Sequence, residues 1–228
     1  MIIAAICLSA FMVWASADVG SNIYLKTLCR GSKEKRSVCL TFDDGPHEEM
    51  TPRVLDALKE HGVQATFFLI GRNAEHHPDI VRRMVAEGHT IANHTYSHAG
   101  LFPLSSASSV EREVTRCSET ITSLTNKQLK LFRMPFGVTN PIIGKVIRHL
   151  GLKAIGWSIR SLDTIERRSR EQICKRVIKR LHSGAIILLH DRCAYSDELL
   201  RQLIPAIKER GYSFISLEEM LNIDAYEA

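Results

Sequence analysis

The sequence predicts an α/β fold, a distorted (β/α)7 barrel of the TIM-like kind, with an N-terminal hydrophobic leader or anchor. Beyond residue 36, apolar runs typical of strands alternate with amphipathic patterns typical of helices, and no low-complexity linker interrupts them. The 228 residues, of which 45% are hydrophobic, suit one domain with a sizeable core. An open, doubly wound sheet is the competing architecture. In both architectures functional side chains gather at the carboxyl ends of the strands.

Seven apolar runs predict the strands, because each run is short and is bounded by turn-forming residues. The predicted strands cover residues 38–42, 65–70, 90–93, 129–133, 154–157, 185–189 and 212–216. Seven strands of this kind can close, imperfectly, into a barrel.

Helices are predicted between the strands from signals at their ends. Thr51 as N-cap and Pro52 in the first turn begin one helix, and Gly62 ends it. The next helix runs from Pro78 to Gly88.

Two later helices show a clear apolar face. A capping box of Ser169 and Gln172 begins the first, and the second covers residues 196–210. The residues predicted to face the core are Ile173, Val177, Ile178, Leu181, Leu199, Leu200, Leu203 and Ile207.

Residues 1–17 are predicted to be a signal peptide or membrane anchor, followed by a connecting segment at 18–35 and one domain at 36–228. Residues 2–17 carry no charge, and Ala15-Ser16-Ala17 matches a small-x-small cleavage site. The nearest basic residues follow this segment, which leaves its orientation open. We expect an extracytoplasmic protein, secreted or associated with a membrane through residues 2–17. A buried first helix of the domain is the alternative.

The formal net charge of +5 comes from 30 basic and 25 acidic residues that are interspersed along the chain. Such a mild excess is not the footprint of a nucleic-acid-binding protein. We expect a monomer without a nucleic-acid partner, and an attraction to an anionic envelope polymer stays open.

Two carboxylates, Asp43 and Asp44, end the first predicted strand and precede Gly45-Pro46. Adjacent side chains at a strand end point to opposite sides, so one Asp can face a metal ion while the other faces water. Gly45 is expected to allow a sharp change of direction. Taken alone, the run is also ordinary turn chemistry.

His94 and His98 follow the strand at 90–93. Because the preceding residues look extended, we expect the pair where a strand runs into a loop and both imidazoles reach one ion. Two imidazoles, one carboxylate and an open position for water form the ligand set of a catalytic zinc site. A structural or surface role for the pair is the alternative.

Polar residues end two further strands. Arg133 is placed to pair with Asp43 and keep that carboxylate ionised, and a surface arginine is the alternative. Asp163 is placed to orient a histidine, and Trp157 either lines a pocket or packs in the core.

His190 ends the strand at 185–189, and alternation puts Leu188 on the same face. Leu188 can therefore receive a small methyl group beside an acid at His190. Carboxylates, a histidine pair and a late histidine together supply metal ligands, a base and an acid. That combination predicts a metal-dependent hydrolase.

The five motifs resemble those of the polysaccharide deacetylase family, also called carbohydrate esterase family four or the NodB homology domain. The resemblance covers residues 36–217, and the motifs occur in the family's order. It implies that residues 36–228 form a NodB homology domain, which is a distorted barrel of β/α units. It also implies that this domain binds a divalent metal ion, for which zinc is the favoured candidate.

The resemblance also implies a role for each motif residue. The implied metal ligands are Asp44, His94 and His98. The implied proton-transfer groups and their supports are Asp43 as general base, His190 as general acid, Arg133 as the tether of Asp43 and Asp163 as the support of His190. The implied substrate contacts are the Phe136 backbone N–H for the oxyanion and Leu188 for the acetyl methyl group, and we expect Trp157 to add to the pocket wall. Two positions depart from the family: Thr164 stands where many relatives have Trp, and Arg160 occupies a position often filled differently.

The resemblance thus implies a metal-dependent hydrolase of carbon–nitrogen bonds other than peptide bonds. It would remove N-acetyl groups from N-acetylglucosamine units of peptidoglycan or a chitin-like polysaccharide. An O-acetyl esterase acting on xylan or another glycan is one alternative, and a noncatalytic carbohydrate-binding relative is another. A binding module needs no base, acid and open metal site together, which argues against the second alternative.

Overall fold

The computed structural model describes residues 2–227, in which nine α-helices alternate with nine strands. The strands are β1 (Thr27–Leu28), β2 (Ser37–Asp43), β3 (Ala65–Leu69), β4 (Thr90–Asn93), β5 (Leu131–Phe132), β6 (Lys153–Ile155), β7 (Ile159–Arg160), β8 (Ala185–His190) and β9 (Ser213–Phe214). The α-helices are α1 (Ile2–Ala17), α2 (Met50–Glu60), α3 (Gly71–His76), α4 (Pro78–Ala86), α5 (Ala107–Thr125), α6 (Pro141–His149), α7 (Arg170–Lys179), α8 (Ser196–Glu209) and α9 (Leu217–Leu221). Short 3-10 turns lie at Phe102–Leu104 and Pro135–Gly137.

The sheet is parallel throughout its named strands, in the order β1-β6-β5-β4-β3-β2-β8-β7, and β9 also pairs with β2. Only residues 156–158 separate β6, which pairs with β5, from β7, which pairs with β8. This short stretch therefore connects β6, near one end of the strand order, to β7 at the other end. The sheet must curl to bring these two ends together. The helices cover the outside, so the predicted distorted (β/α)7 barrel is confirmed.

The differences from the predicted strands concern short segments. The sequence does not predict β1 and β7, because strands of two residues show no periodicity. The runs at 129–133 and 212–216 contain only the two-residue strands β5 and β9. The run at 154–157 corresponds to β6, which ends before the kink that leads into β7.

Side-chain alternation along β2 separates the two sides of the barrel wall. Val38, Leu40 and Phe42 pack with the helices in the largest hydrophobic cluster, whereas Cys39 packs with side chains inside the barrel. By the same alternation Asp43 points into the barrel at its carboxyl end. The prediction for α7 and α8 is confirmed, because their apolar residues are buried or partly buried against the same cluster.

The predicted helix ends are confirmed in part. The capping box of Ser169 and Gln172 is present, and Pro78 opens α4. The prediction of Thr51 as an N-cap is wrong, because α2 begins at Met50 and the Thr51 hydroxyl donates a hydrogen bond to the Asp191 carboxylate.

The ring of His47 caps α2 in place of Thr51. Its Nδ1 accepts hydrogen bonds from the backbone N–H groups of Glu49 and Met50, with N···N distances of 3.2 and 3.3 Å. Two backbone donors at the start of the helix are thereby satisfied by a side chain that precedes it.

The N-terminal helix α1 lies outside the core, with Ala15 as its buried residue. Its end is attached to the domain, because the Ser16 carbonyl accepts the Thr139 N–H at 3.0 Å. No helix within residues 2–227 is long and apolar enough to cross a membrane. The leader or anchor stays a prediction.

Candidate metal and catalytic site

The predicted site residues meet at the carboxyl ends of the strands, around a cavity of about 170 Å³. The residues that line it are Asp43, Asp44, His94, His98, Phe136, Gly137, Trp157, Arg160, Thr164, Leu188, His190 and Arg192. Eight of the ten predicted site residues are among them, and Arg133 and Asp163 lie directly behind, bonded to Asp43 and His190.

Asp44, His94 and His98 form a cluster that fits one divalent ion. Asp44 Oδ1 lies 3.5 Å from Nε2 of His94 and 3.5 Å from Nε2 of His98. Two ligand atoms that each lie about 2.1 Å from a tetrahedral zinc ion are about 3.4 Å apart, so these separations suit such an ion. All three ligand atoms lie within 4.8 Å of one another. The predicted ligands therefore come together in space.

The second nitrogen of His94 is held by the protein. Its Nδ1 lies 2.8 Å from the Arg133 carbonyl oxygen, which can only accept a hydrogen bond. The proton therefore sits on Nδ1, and the lone pair of Nε2 faces Asp44. This is the usual arrangement of a metal-binding imidazole, whose other nitrogen is bonded to a carbonyl or carboxylate.

Local backbone geometry aims the ligands. Asp44 and His98 have positive φ angles of 75° and 50°, and Thr95 between the two histidines has 66°. Residues other than glycine seldom adopt this region, and such conformations cluster at functional sites. Two further contacts fix the loops: Asn73 Nδ2 donates to the Asp44 carbonyl at 2.9 Å, and the rings of His98 and Phe136 lie 4.7 Å apart.

Gly45 does not provide the left-handed backbone for the sharp change of direction that the sequence predicts for it. The left-handed conformation falls on Asp44, and Gly45 is not among the residues with positive φ. A Cβ at position 45 would instead collide with the carboxylate of Asp191. That carboxylate is fully buried, and burial raises the pKa of Asp191 to about 7, partly offset by its hydrogen bond from Thr51. Gly45 is therefore required by packing.

Arg133 is a fully buried cation inside the barrel. Its Nη1 donates to Asp43 Oδ1 at 2.7 Å and to Thr41 Oγ1 at 2.9 Å. Its remaining nitrogens donate to the carbonyls of Ile155 and Gly156 at 3.2 and 2.8 Å. The predicted pairing with Asp43 is thus present in the structure, and the alternative of a surface arginine is wrong.

His190 is bonded to Asp163 in two ways. Asp163 Oδ1 lies 2.8 Å from His190 Nδ1, and Oδ2 accepts the His190 backbone N–H at 2.7 Å. The Ser161 hydroxyl also donates to Oδ1 at 2.8 Å, which orients the carboxylate. Burial lowers the pKa of His190, but the hydrogen bond and charge of Asp163 outweigh it and raise this pKa. The ring keeps its proton to higher pH than an ordinary histidine and can donate it from Nε2.

The charges around the cluster favour metal binding. Burial raises the pKa of Asp44, but the surrounding imidazoles, above all His94 and then His190 and His98, hold this pKa well below its usual range. Burial and the neighbouring His94 lower the pKa of His98. An ionised carboxylate and neutral imidazoles are the forms that bind a metal ion.

Arg192 belongs to the site, and the sequence reasoning missed it. Its Nε donates to Asp44 Oδ2 at 2.9 Å, so one carboxylate oxygen faces the histidines and the other faces a cation. Its position directly after the His190-Asp191 pair was the signal that could have found it. Arg160 and Thr164, seen in the sequence only as departures, also line the cavity.

Comparison with known proteins gives a consistent picture. Residues 30–155 match the family model described as polysaccharide deacetylase. A chitooligosaccharide deacetylase of Sinorhizobium fredii is 38% identical in an alignment 211 residues long, which covers 86% of this chain and 97% of that protein.

Two solved structures share the fold. The Bc1960 peptidoglycan N-acetylglucosamine deacetylase superposes with a TM-score of 0.83 at 33% identity, over 88% of this chain and 95% of that one. BA3943 of Bacillus anthracis, described as a pseudoenzyme of the CE4 family, superposes with a TM-score of 0.78 at 28% identity, over 84% of this chain and 67% of that one. The chain belongs to the polysaccharide deacetylase family, carbohydrate esterase family four, and is a hydrolase of carbon–nitrogen bonds other than peptide bonds.

Proposed function

We propose that this protein is a metal-dependent deacetylase that removes N-acetyl groups from N-acetylglucosamine units of peptidoglycan or a chitin-like glycan. One observation supports this most strongly: a ligand cluster, a buried Asp–Arg pair and an Asp–His pair face the same small cavity. The similar proteins act, by their names, on chitooligosaccharides and on peptidoglycan N-acetylglucosamine.

The metal is proposed to be zinc, held by Asp44, His94 and His98. Two imidazoles and one carboxylate are ligands that zinc accepts readily, and three protein ligands leave a position open. When bound, such an ion acidifies water and polarises an acyl oxygen.

Asp43 is proposed as the general base. Its carboxylate is 4% exposed and lies 3.8 Å from Nε2 of His94, so it is beside the metal cluster without being one of its closest members. Arg133 holds Oδ1 and leaves Oδ2 directed to the site. A base fixed in this way needs no reorganisation to take a proton from water.

His190 is proposed as the general acid. The departing nitrogen of an amide must gain a proton before the carbon–nitrogen bond breaks, because an amine anion is a poor leaving group. The pairing with Asp163 raises the pKa of His190, so the ring holds its proton to higher pH, and it leaves Nε2 for the cavity side.

The remaining contacts are proposed to hold the acetyl group. Leu188 and Trp157 form apolar parts of the cavity wall where a methyl group can pack. Phe136 has a φ of 61°, an uncommon conformation that supports a special role for its backbone N–H, stabilisation of the oxyanion.

Two other functions compete with this proposal, those of an O-acetyl esterase and of a noncatalytic carbohydrate-binding protein. An O-acetyl esterase would use the same groups, since the cavity recognises an acetyl group and not the atom that carries it. A noncatalytic relative is favoured by the similarity to a pseudoenzyme. However, the complete set of base, acid and ligands in one cavity supports catalysis.

Residues 1–17 are proposed to export or anchor a monomeric enzyme, because α1 presents apolar side chains such as Ile2, Ile3 and Phe11 outside the core. An enzyme acting on cell-wall glycan requires such export.

The test is acetate release from matched N-acetylated and O-acetylated glycans. We expect Asp43→Asn to reduce turnover by at least about 10²-fold, the usual contribution of one proton-transfer group. His94→Ala should abolish turnover as well, because it removes a ligand of the proposed metal. Only His94→Ala should strongly weaken metal binding in a titration of the chelator-treated protein with zinc.

His149→Ala serves as the control, because His149 is exposed on α6 and away from the cavity. Normal turnover of either site variant would refute the assignment. Release from O-acetylated glycans alone would establish the esterase, and binding without release would establish the noncatalytic relative.

A further inference from the structure

The cavity rim carries an arginine that the reaction does not use. Arg160 lines the cavity and is exposed. It pairs in register with Leu188 across β7 and β8, so both side chains stand on the same face of the sheet. Arg160 is therefore a cation beside the proposed acetyl pocket.

Arg160 differs from the other arginine at the rim. Arg192 already contacts a carboxylate, since its Nε donates to Asp44. Arg160 has no ion pair with any residue in the described range 2–227. Its charge is thus available to a molecule that enters the cavity.

The surroundings of Arg160 are also positive. Arg176 on α7 donates from Nε to the Arg160 carbonyl at 2.9 Å. Burial and the positive charges of Arg180, Arg168 and Arg160 lower the pKa of Arg176. None of these four arginines has an acidic partner within the described part of the chain. An anion that approaches Arg160 from the rim therefore meets arginines whose charges no acidic partner among residues 2–227 neutralises.

Thr164 leaves room at the same rim. It is exposed and lines the cavity, and its short side chain stands on the loop that follows β7. Thr164 and Arg160 are therefore both available at the rim to a substituent that projects from a sugar in the cavity.

We propose that Arg160 is a specificity-determining residue, which selects glycans that carry a carboxylate next to the acetamido group to be hydrolysed. The proposal rests on the proposed function. A guanidinium presents a planar pair of donors that matches a carboxylate, and the unpaired positive surroundings gain from an incoming anion. The carboxylate can belong to a uronic acid or to a lactyl ether on the neighbouring sugar.

The test compares three oligosaccharides of equal length, each with N-acetylglucosamine. One is neutral chitotetraose, one alternates with glucuronic acid and one alternates with N-acetylmuramic acid. The wild-type enzyme should show a higher kcat/KM on at least one acidic oligomer. Arg160→Gln should reduce the ratio of acidic to neutral kcat/KM by about five- to tenfold, mainly through KM, as expected for one partly exposed charge pair.

Arg160→Lys should retain part of the preference, because it keeps the charge but loses the planar fork. Arg82→Gln is the matched control: Arg82 is exposed on α4, away from the cavity, and its loss removes the same charge. The preference of the wild type should shrink as salt rises from 0.05 to 0.5 M, roughly the range in which screening becomes strong.

Binding separates a failure of this proposal from a failure of the proposed function. Calorimetry with the acidic oligomers measures affinity whether or not acetate is released, and Arg160→Gln should weaken it about five- to tenfold. Equal affinity of wild type and Arg160→Gln for both acidic oligomers overturns the role of Arg160. Absence of acetate release from every oligomer, with the affinity difference intact, overturns the deacetylase assignment alone.

Discussion

Replacing Arg133 by Met tests the energetic role of the buried pair inside the barrel. The substitution removes hydrogen bonds to the Asp43 and Thr41 side chains and to the carbonyls of Ile155 and Gly156. It leaves Asp43, which is 4% exposed, without its cation. Removing one member of a buried ion pair costs about 3–5 kcal/mol, because the other charge stays desolvated. That loss is a large part of a typical unfolding free energy of about 5–15 kcal/mol.

The assay is urea unfolding followed by far-UV circular dichroism, with a chelator present so that bound metal does not contribute. Neutralising the orphaned carboxylate should restore stability, so Arg133→Met/Asp43→Asn should be more stable than the sum of the two single losses by at least about 1 kcal/mol. Arg133→Lys, which keeps a charge, should lose less than Arg133→Met. A loss under about 1 kcal/mol for Arg133→Met, or strict additivity in the double variant, would refute the reasoning.

Two further predictions concern His89 and Asp163. His89 is 6% exposed, and burial lowers its pKa from 6.5 to about 4. Between these values the unfolded chain binds a proton that the folded chain refuses, so the unfolding free energy should fall by up to about 3 kcal/mol as pH drops from 7.5 to 4. In urea titrations at both pH values His89→Gln should lose this component relative to wild type, and an unchanged pH dependence would contradict the burial argument. Asp163→Asn should lower the pKa of His190, reduce kcat by about 10²-fold and move the alkaline limb of the rate profile to lower pH, while zinc affinity stays the same. An unshifted limb would show that Asp163 does not set this protonation.

The sequence was sufficient for contacts that follow from strand order. Asp43, Arg133 and His190 end neighbouring or nearby strands of a parallel sheet, so their meeting follows from topology and from side-chain alternation. The buried helix faces were equally accessible, because their apolar spacing repeats over several turns.

Features that depend on loops, or on pairing between distant segments, could not be predicted from strand order and side-chain alternation. The position of Arg192 beside the His190-Asp191 pair places it near the site, but its partner Asp44 lies 148 positions away and no local pattern identifies that partner. Residue type alone favours Gly45 for the sharp change of direction, whereas the left-handed backbone lies at Asp44. β7 escapes detection because its pairing with β8, and not its own two residues, makes it a strand.

The tight approach of Gly45 to Asp191 has an evolutionary consequence. Any side chain at position 45 would displace the Asp191 carboxylate, which would then lose Thr51 and disturb the adjoining His190. The motif that contains Asp43, Asp44 and Gly45 and the motif that contains His190 and Asp191 therefore constrain each other sterically. We expect the two motifs to be inherited together. A protein engineer who grafts this chemistry onto another scaffold should transfer both segments together, since the Asp191 carboxylate fills the space that a side chain at position 45 would need.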